Sequence, residues 1–507
     1  MTAVSICRLA RNGIRKLTAA MLESRSLTLM NASDRASHSA SQGRRPPTVS
    51  RPIALVTAAA VWLAGLPVPA GAQEGKEPGV IRDAEVEQLL REYAQPVLQA
   101  AGVSKQNVRI VVIGDRSFNA FVADGRRIFI NAGTLMDAKT PNEVIGVLAH
   151  ETGHLAGGHL ARLREQLAQA TTQSIVAVLL GVGAMVAAAR TNSASGGQGA
   201  MAALQGPQAM IQNNLLAYVR SQEESADRAG VKFLTASGQS AKGMYDSFKR
   251  LADQTLYQVR YVDPYFQTHP MPAERVRALE TLATASPYWD KQDSSALQAR
   301  HDLMRAKLFG YMDRPDTVAR RYPFSDTSLP ARYARAIASY RFAHNASALA
   351  PIDGLIQAQP QNPYFYEVKG QALLESGKPG EAVAPLRRAA ALAPNPALIQ
   401  IMLGQALLAT EDKAHAEEAI TLLETALRRE PESPEAYAQI AMAYGLKGDL
   451  ARADLASAQS AFMRGDLKTA RQLAARAKTL FPVGSPGWVK ADDLATYRPK
   501  GKPLGAN

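Results

Sequence analysis

Val147-Leu148-Ala149-His150-Glu151-Thr152-Gly153-His154 decides how this chain is read. It carries the pattern His-Glu-x-x-His inside an apolar stretch, and Thr140-Pro141-Asn142-Glu143 just upstream has the marks of a helix start. Threonine can cap, proline suits the first helical position, and a glutamate three residues after the cap can reach back. On that helix two histidines four apart project from one face, so both imidazoles can reach a single Zn²⁺ at about 2.0–2.1 Å. Glu151 then lies beside the ion, where it can take a proton from an attacking water and later deliver it to a leaving amine.

Zinc needs a third protein ligand, and the residues alone offer two. His159 with Gly157 extends the motif to His-Glu-x-x-His-x-x-Gly-x-His, one residue short of the register in which a third histidine follows that glycine by three. The other candidate is Glu223. Leu215, Leu216, Val219, Ala226, Ala229, Phe233 and Leu234 recur at helical spacing, which puts Glu223 and Asp227 four apart on one face. One carboxylate can bind the metal while the other orients a ligand histidine through its second ring nitrogen.

Working outward, Asp83 to Gly102 has the apolar spacing of an amphipathic helix closed by glycine. Val108–Ile113 and Arg127–Asn131, the latter after the turn dipeptide Asp124-Gly125, predict strands of a small sheet. Asn119 to Ile130 can offer an open strand edge to an extended polypeptide. Ile175 to Ala189 has no charged or polar side chain. It is shorter than the roughly 20 residues a membrane span needs, so it reads as a buried helix or a segment touching a membrane surface. Thr191 to Ala200 is rich in glycine and small residues and predicts a loop.

The whole chain of 507 residues carries a formal charge of +13, yet nine Lys/Arg against two acids stand in the first 72 residues. The remainder carries only +6, so no nucleic-acid partner is expected. Arg44, Arg45 and Arg51 precede the apolar run Ile53–Val68 and then Ala70-Gly71-Ala72, which predicts an export signal cut before Gln73. The single cysteine, Cys7, falls in that segment, so the mature chain is expected to lack disulfides and cysteine ligands, in keeping with a periplasm.

From about residue 329 a frame repeats: Ala382, Leu386, Ala389, Pro394; Ala419, Leu423, Ala426, Pro431; Ala470, Ala474, Ala477, Pro482; and a weaker Ala348, Ile352, Leu355, Pro360. It resembles the tetratricopeptide helix-turn-helix unit, which stacks into a superhelix with a concave face for peptides or partner proteins.

The motif AHETGH followed 73 positions later by Glu-x-x-Ala-Asp at Glu223 to Asp227, with Asn119-Ala120-Phe121, His269-Pro270 and Arg275, resembles the CaaX-prenyl-protease and HtpX-like zinc metallopeptidase family. With an export signal and C-terminal repeats, it is similar to the periplasmic beta-barrel assembly-enhancing protease type. The resemblance implies one Zn²⁺ per chain on His150, His154 and Glu223, with Glu151 as general base and Asp227 behind a ligand. His269 lies in the proline-bounded loop Thr268–Pro272. There it can bind the oxyanion or occupy the open zinc position at rest.

The expected fold is α+β: a mainly helical gluzincin-type metalloprotease domain with a small sheet, then an all-α tetratricopeptide solenoid. Expected boundaries are a signal with N-terminal extension at 1–72, the peptidase domain at 73–290, a helical linker at 291–328, repeats at 329–485 and a tail at 486–507. The expected function is hydrolysis of peptide bonds in unfolded or misassembled polypeptides, in outer-membrane protein quality control. The repeats would recruit substrate or assembly machinery, with peripheral membrane contact through 175–189. A repeat scaffold or chaperone with a latent metal site is the alternative.

Overall fold

A computed structural model of the protein describes residues 79–170, 194–257, 269–343 and 349–499. The expected signal at 1–72 and the apolar run 175–189 lie outside them. Residues from Val80 onward form one compact unit. The architecture is α+β, with one small sheet among many helices.

The first strand, β1, spans Val80–Ile81. Helix α1, Ala84–Ala100, starts where the Asp83 side chain accepts from the Val86 amide. Strands β2 (Arg109–Ile113), β3 (Ala120–Asp124) and β4 (Arg127–Asn131) follow. The sheet order is β1-β2-β4-β3. Strands β2 and β4, the two predicted from β-branched runs, are parallel neighbours, and the hairpin through Asp124-Gly125 joins β4 to β3 instead. That leaves β3 as an edge strand.

Helix α2 (Ala132–Asp137) leads to α3, Pro141–Gly157, which carries the motif. Its start follows the sequence: Thr140 accepts from the Glu143 amide, and Glu143 reaches back to the Lys139 amide at 3.2 Å. Gly158, at φ +63°, closes the helix in the left-handed conformation. Residues 159–170 are again helical.

Helix α4 runs from Ala194 to Ala236. Residues 194–200, expected as loop from their glycine and serine content, are therefore helical. Extending an existing helix needs no new nucleus, and this offsets poor local propensity. Helices α5 (Lys242–Tyr257), α6 (Ala273–Thr284) and α7 (Ser295–Met312) complete this part. Leu89, Leu90 and Tyr93 of α1, Ile128 and Ile130 of β4, Val144, Val147 and Leu148 of α3, and Met244 and Phe248 of α5 share one core. Each such buried side chain contributes about 1.5–3 kcal/mol of apolar transfer. Met304, Leu308 and Phe309 of α7 belong to the same core, although that segment reads from sequence as a linker.

Beyond residue 329 successive helices pack against one another, and the repeated frame is buried: Ala382, Leu386 and Ala389, then Ala419, Leu423 and Ala426, then Ala470, Ala474 and Ala477. The helix Leu450–Met463 packs against both Pro434–Leu446 and Leu467–Leu480. Residues Pro486–Thr496, expected as a tail, form a further helix against Leu467–Leu480, with Ala491 buried, because Ser485 caps it and Pro486 opens it. Among the described residues no helix is long and apolar enough to cross a membrane.

Candidate metal centre

Two helices bring the donors together. They approach so closely that a Cβ on Gly153 of α3 would stand 2.7 Å from the Ala226 carbonyl oxygen of α4. Glycine and alanine at this crossing let Glu223 reach the two histidines. His150 and Glu151 are fully buried, Glu223 and Asp227 are 3 % exposed, and His269 is 5 % exposed.

The nitrogens His150 Nε2 and His154 Nε2 are 3.0 Å apart. Glu223 faces both, with Oε2 3.5 Å from His150 Nε2 and Oε1 3.3 Å from His154 Nε2. Ligands at about 2.0–2.1 Å around a tetrahedral ion lie roughly 3.3 Å from one another, so these separations match edges of that tetrahedron. His269 Nδ1 completes the group at 3.4 Å from His150 Nε2 and 3.0 Å from Glu223 Oε2. All four donors lie within 4.8 Å of one another.

Charge in the pocket also suits a divalent cation. With the imidazoles neutral, as metal binding requires, the carboxylates of Glu151, Glu223 and Asp227 outnumber the Arg275 guanidinium by two. Burial opposes a charged His150 imidazole, but the Asp227 and Glu223 carboxylates carry its pKa up to about 9. Burial likewise opposes the Glu223 carboxylate, yet the adjoining His269 ring and hydrogen bonds from the histidines hold its pKa well below the usual value. The first shift reports a field that favours positive charge at His150, and the second keeps Glu223 in the anionic form that a metal ligand needs. Neither oxygen of Glu151 has a hydrogen-bond partner among the described residues. A buried carboxylate so held is costly unless it serves a group that enters the pocket.

Further partners fix the donors. His150 Nδ1 lies 2.9 Å from Asp227 Oδ1. Arg275 of α6 donates to Asp227 through Nε at 2.6 Å and Nη2 at 2.8 Å, and its Nη1 stands 2.8 Å from Glu223 Oε2. The residues around Arg275 assign it no such role, since no spacing ties it to the motif. His159 is not among the clustered donors: its Nδ1 faces the opposite side of His154, 3.0 Å from Nδ1. Burial and the neighbouring His154 lower its pKa to about 4. His269 Nε2 reaches the Ala120 carbonyl at 3.2 Å, which ties the cluster to edge strand β3.

Residues 81–283 match the model of Peptidase family M48. This region is an M48 peptidase domain. The M48 domain makes the chain a metalloprotease, and the cluster on α3, α4 and the His269 loop is its candidate metal site. Over 78% of its length the chain is 25% identical to the beta-barrel assembly-enhancing protease of Yersinia pestis, covering 81% of that protein. It is 29% identical to a putative beta-barrel assembly-enhancing protease of Vibrio cholerae over 39% of each chain. With the Escherichia coli K12 beta-barrel assembly-enhancing protease it shares 25% identity over 65% of this chain and 66% of that one. The match to the Yersinia pestis protein is longer than the M48 domain, so it includes helices of the repeat region.

Proposed function

We propose that the chain is an exported, zinc-dependent endopeptidase that cleaves unfolded or misassembled polypeptides in the periplasm, in the service of outer-membrane protein assembly. The observation that carries the reading is the convergence of His150, His154 and Glu223 at tetrahedral-edge spacing beside the buried carboxylate of Glu151, which has no hydrogen-bond partner among the described residues. Two nitrogens and one carboxylate oxygen form a donor set suited to zinc. A bound zinc ion supplies Lewis acidity and brings the pKa of water near 7.

The chain's own residues do the rest. Glu151 accepts the proton of the attacking water and returns it to the leaving amine. Edge strand β3 pairs with an extended substrate through backbone hydrogen bonds, a mode indifferent to side-chain sequence and therefore suited to unfolded chains. His269 Nδ1 sits with the donors while Nε2 holds the Ala120 carbonyl, which supports a resting site closed by this histidine. The helical repeats resemble tetratricopeptide units and supply a surface for substrate or assembly machinery. The names of the relatives, which speak of beta-barrel assembly, support the location and the client class.

Glu151→Gln tests the reading. The variant should bind zinc as the wild type does and lose casein cleavage by about 10²–10⁴-fold. Full activity in that variant would overturn the assignment. Cells that depend on the protein yet tolerate the variant would favour the scaffold alternative.

A further inference from the structure

The two ligand histidines are held from behind by different chemistry. His150 turns its Nδ1 to a carboxylate, Asp227. His154 turns its Nδ1 to another imidazole, the Nδ1 of His159, at 3.0 Å, with the rings 5.0 Å apart and nearly perpendicular at 86°. His159 is 5 % exposed, so little water competes for that nitrogen.

Local chain geometry is shaped around this contact. Gly158 adopts φ +63°, ends α3 and lets the chain return over the last turn, a left-handed conformation that residues with a Cβ rarely adopt. At Gly157 a Cβ would lie 2.3 Å from His159 Nε2 and 2.6 Å from its Cδ2, so the His159 ring occupies the room that glycine leaves. The pair Gly157-Gly158 thus both turns the chain and seats the ring.

Two imidazole nitrogens at this separation form an N–H···N bond, so one is protonated and the other is not. His154 Nε2 faces the donor cluster and must present a lone pair there, which places the His154 proton on Nδ1. His159 Nδ1 then accepts that proton's hydrogen bond and carries its own hydrogen on Nε2.

We propose that His159 is a positioning residue for the metal centre: its Nδ1 fixes the tautomer and aim of His154, the counterpart of Asp227 on His150. The proposal rests on the reading of His150, His154 and Glu223 as metal ligands. A group in this place influences metal affinity by roughly 10–100-fold.

The experiment uses the full mature chain and measures zinc affinity by competition with a chromophoric chelator, alongside kcat and KM on casein. His159→Phe keeps ring volume and removes the acceptor; His159→Gln keeps an acceptor oxygen. The expected result is a zinc affinity weakened about 10–100-fold and a lowered kcat with little change in KM for His159→Phe, with His159→Gln recovering most of both. Gly157→Ala, which displaces the His159 ring while leaving the imidazole in the chain, should reproduce the His159→Phe loss. Wild-type zinc affinity in His159→Phe would overturn the proposal, as would equal losses in the Phe and Gln variants, since those report packing alone. A wild-type chain unable to hold zinc would instead overturn the reading of the centre itself.

Discussion

Arg275 grips the carboxylate of Asp227 through two parallel hydrogen bonds of 2.6 and 2.8 Å, inside the protein and 48 positions away in sequence. A paired, buried ion that loses its partner is left uncompensated, at a cost of about 3–5 kcal/mol. Arg275→Ala should therefore destabilise the chain by that amount in urea unfolding and weaken zinc binding, because Asp227 no longer aims His150. Arg275→Lys, with a single point of attachment, should fall between; stability equal to wild type in the alanine variant would refute the role of the clamp.

Gly153 sets the spacing of α3 and α4. Gly153→Ala forces the Ala226 backbone to move from a 2.7 Å contact, and overpacking of this kind costs about 1–3 kcal/mol. Zinc affinity should drop with stability, since Glu223 moves with the same helix. Gly230→Ala, where the nearest atom stands at 3.3 Å, should have the smaller effect on both measurements.

If His269 closes the resting site, His269→Ala should raise kcat/KM on unfolded casein. A fall of about 10²–10³-fold would identify an oxyanion donor instead. Unchanged kinetics would remove both roles.

Removal of the ion is measurable without substrate. Zinc at about a thousand times its dissociation constant stabilises a folded site by roughly 4 kcal/mol relative to the metal-free chain. Chelator should lower Tm reversibly, and the His150→Ala chain should melt at one temperature with or without zinc.

Part of this centre is legible in the amino-acid order alone. The histidine pair and Glu151 follow from spacing on one helix; a shared face on another makes Glu223 and Asp227 candidates, and the family resemblance then singles them out. The action of Arg275 depends on how α6 lies against α4, and nothing in its neighbourhood encodes that. His159 stands five residues past His154 and reaches it only because Gly158 breaks the helix and Gly157 leaves room for the ring, so a count along the chain weighs it only as a ligand and finds it out of register. Residues 194–200 look like loop because their composition is that of a loop; the long helix they extend overrides it. Strand β1, two residues long, has too little sequence to carry a period.

A second titratable cluster gives a prediction about pH. Lys307 of α7 is surrounded by Asp83 at 2.8 Å and by Glu85 and Glu367 at 3.3 Å each. Burial raises the Glu367 pKa from 4.5 to about 7, and the carboxylates of Asp83 and Glu85 add to the rise against the pull of Lys307. A raised folded pKa means stability that is complete below about 4.5 and lost as pH climbs through about 7. Glu367→Gln should flatten the fall of Tm between those values and melt above wild type at pH 8. A variant with the wild-type slope would place the titration elsewhere.

The donors of the centre come from helices separated by a long stretch of chain, with His150 and His154 on α3 and Glu223 on α4. Neither helix by itself can grip an ion firmly, so hydrolytic power arises only after both have docked. A newly made molecule, still extended and surrounded by copies of itself, is thus harmless to its siblings until its own architecture is finished.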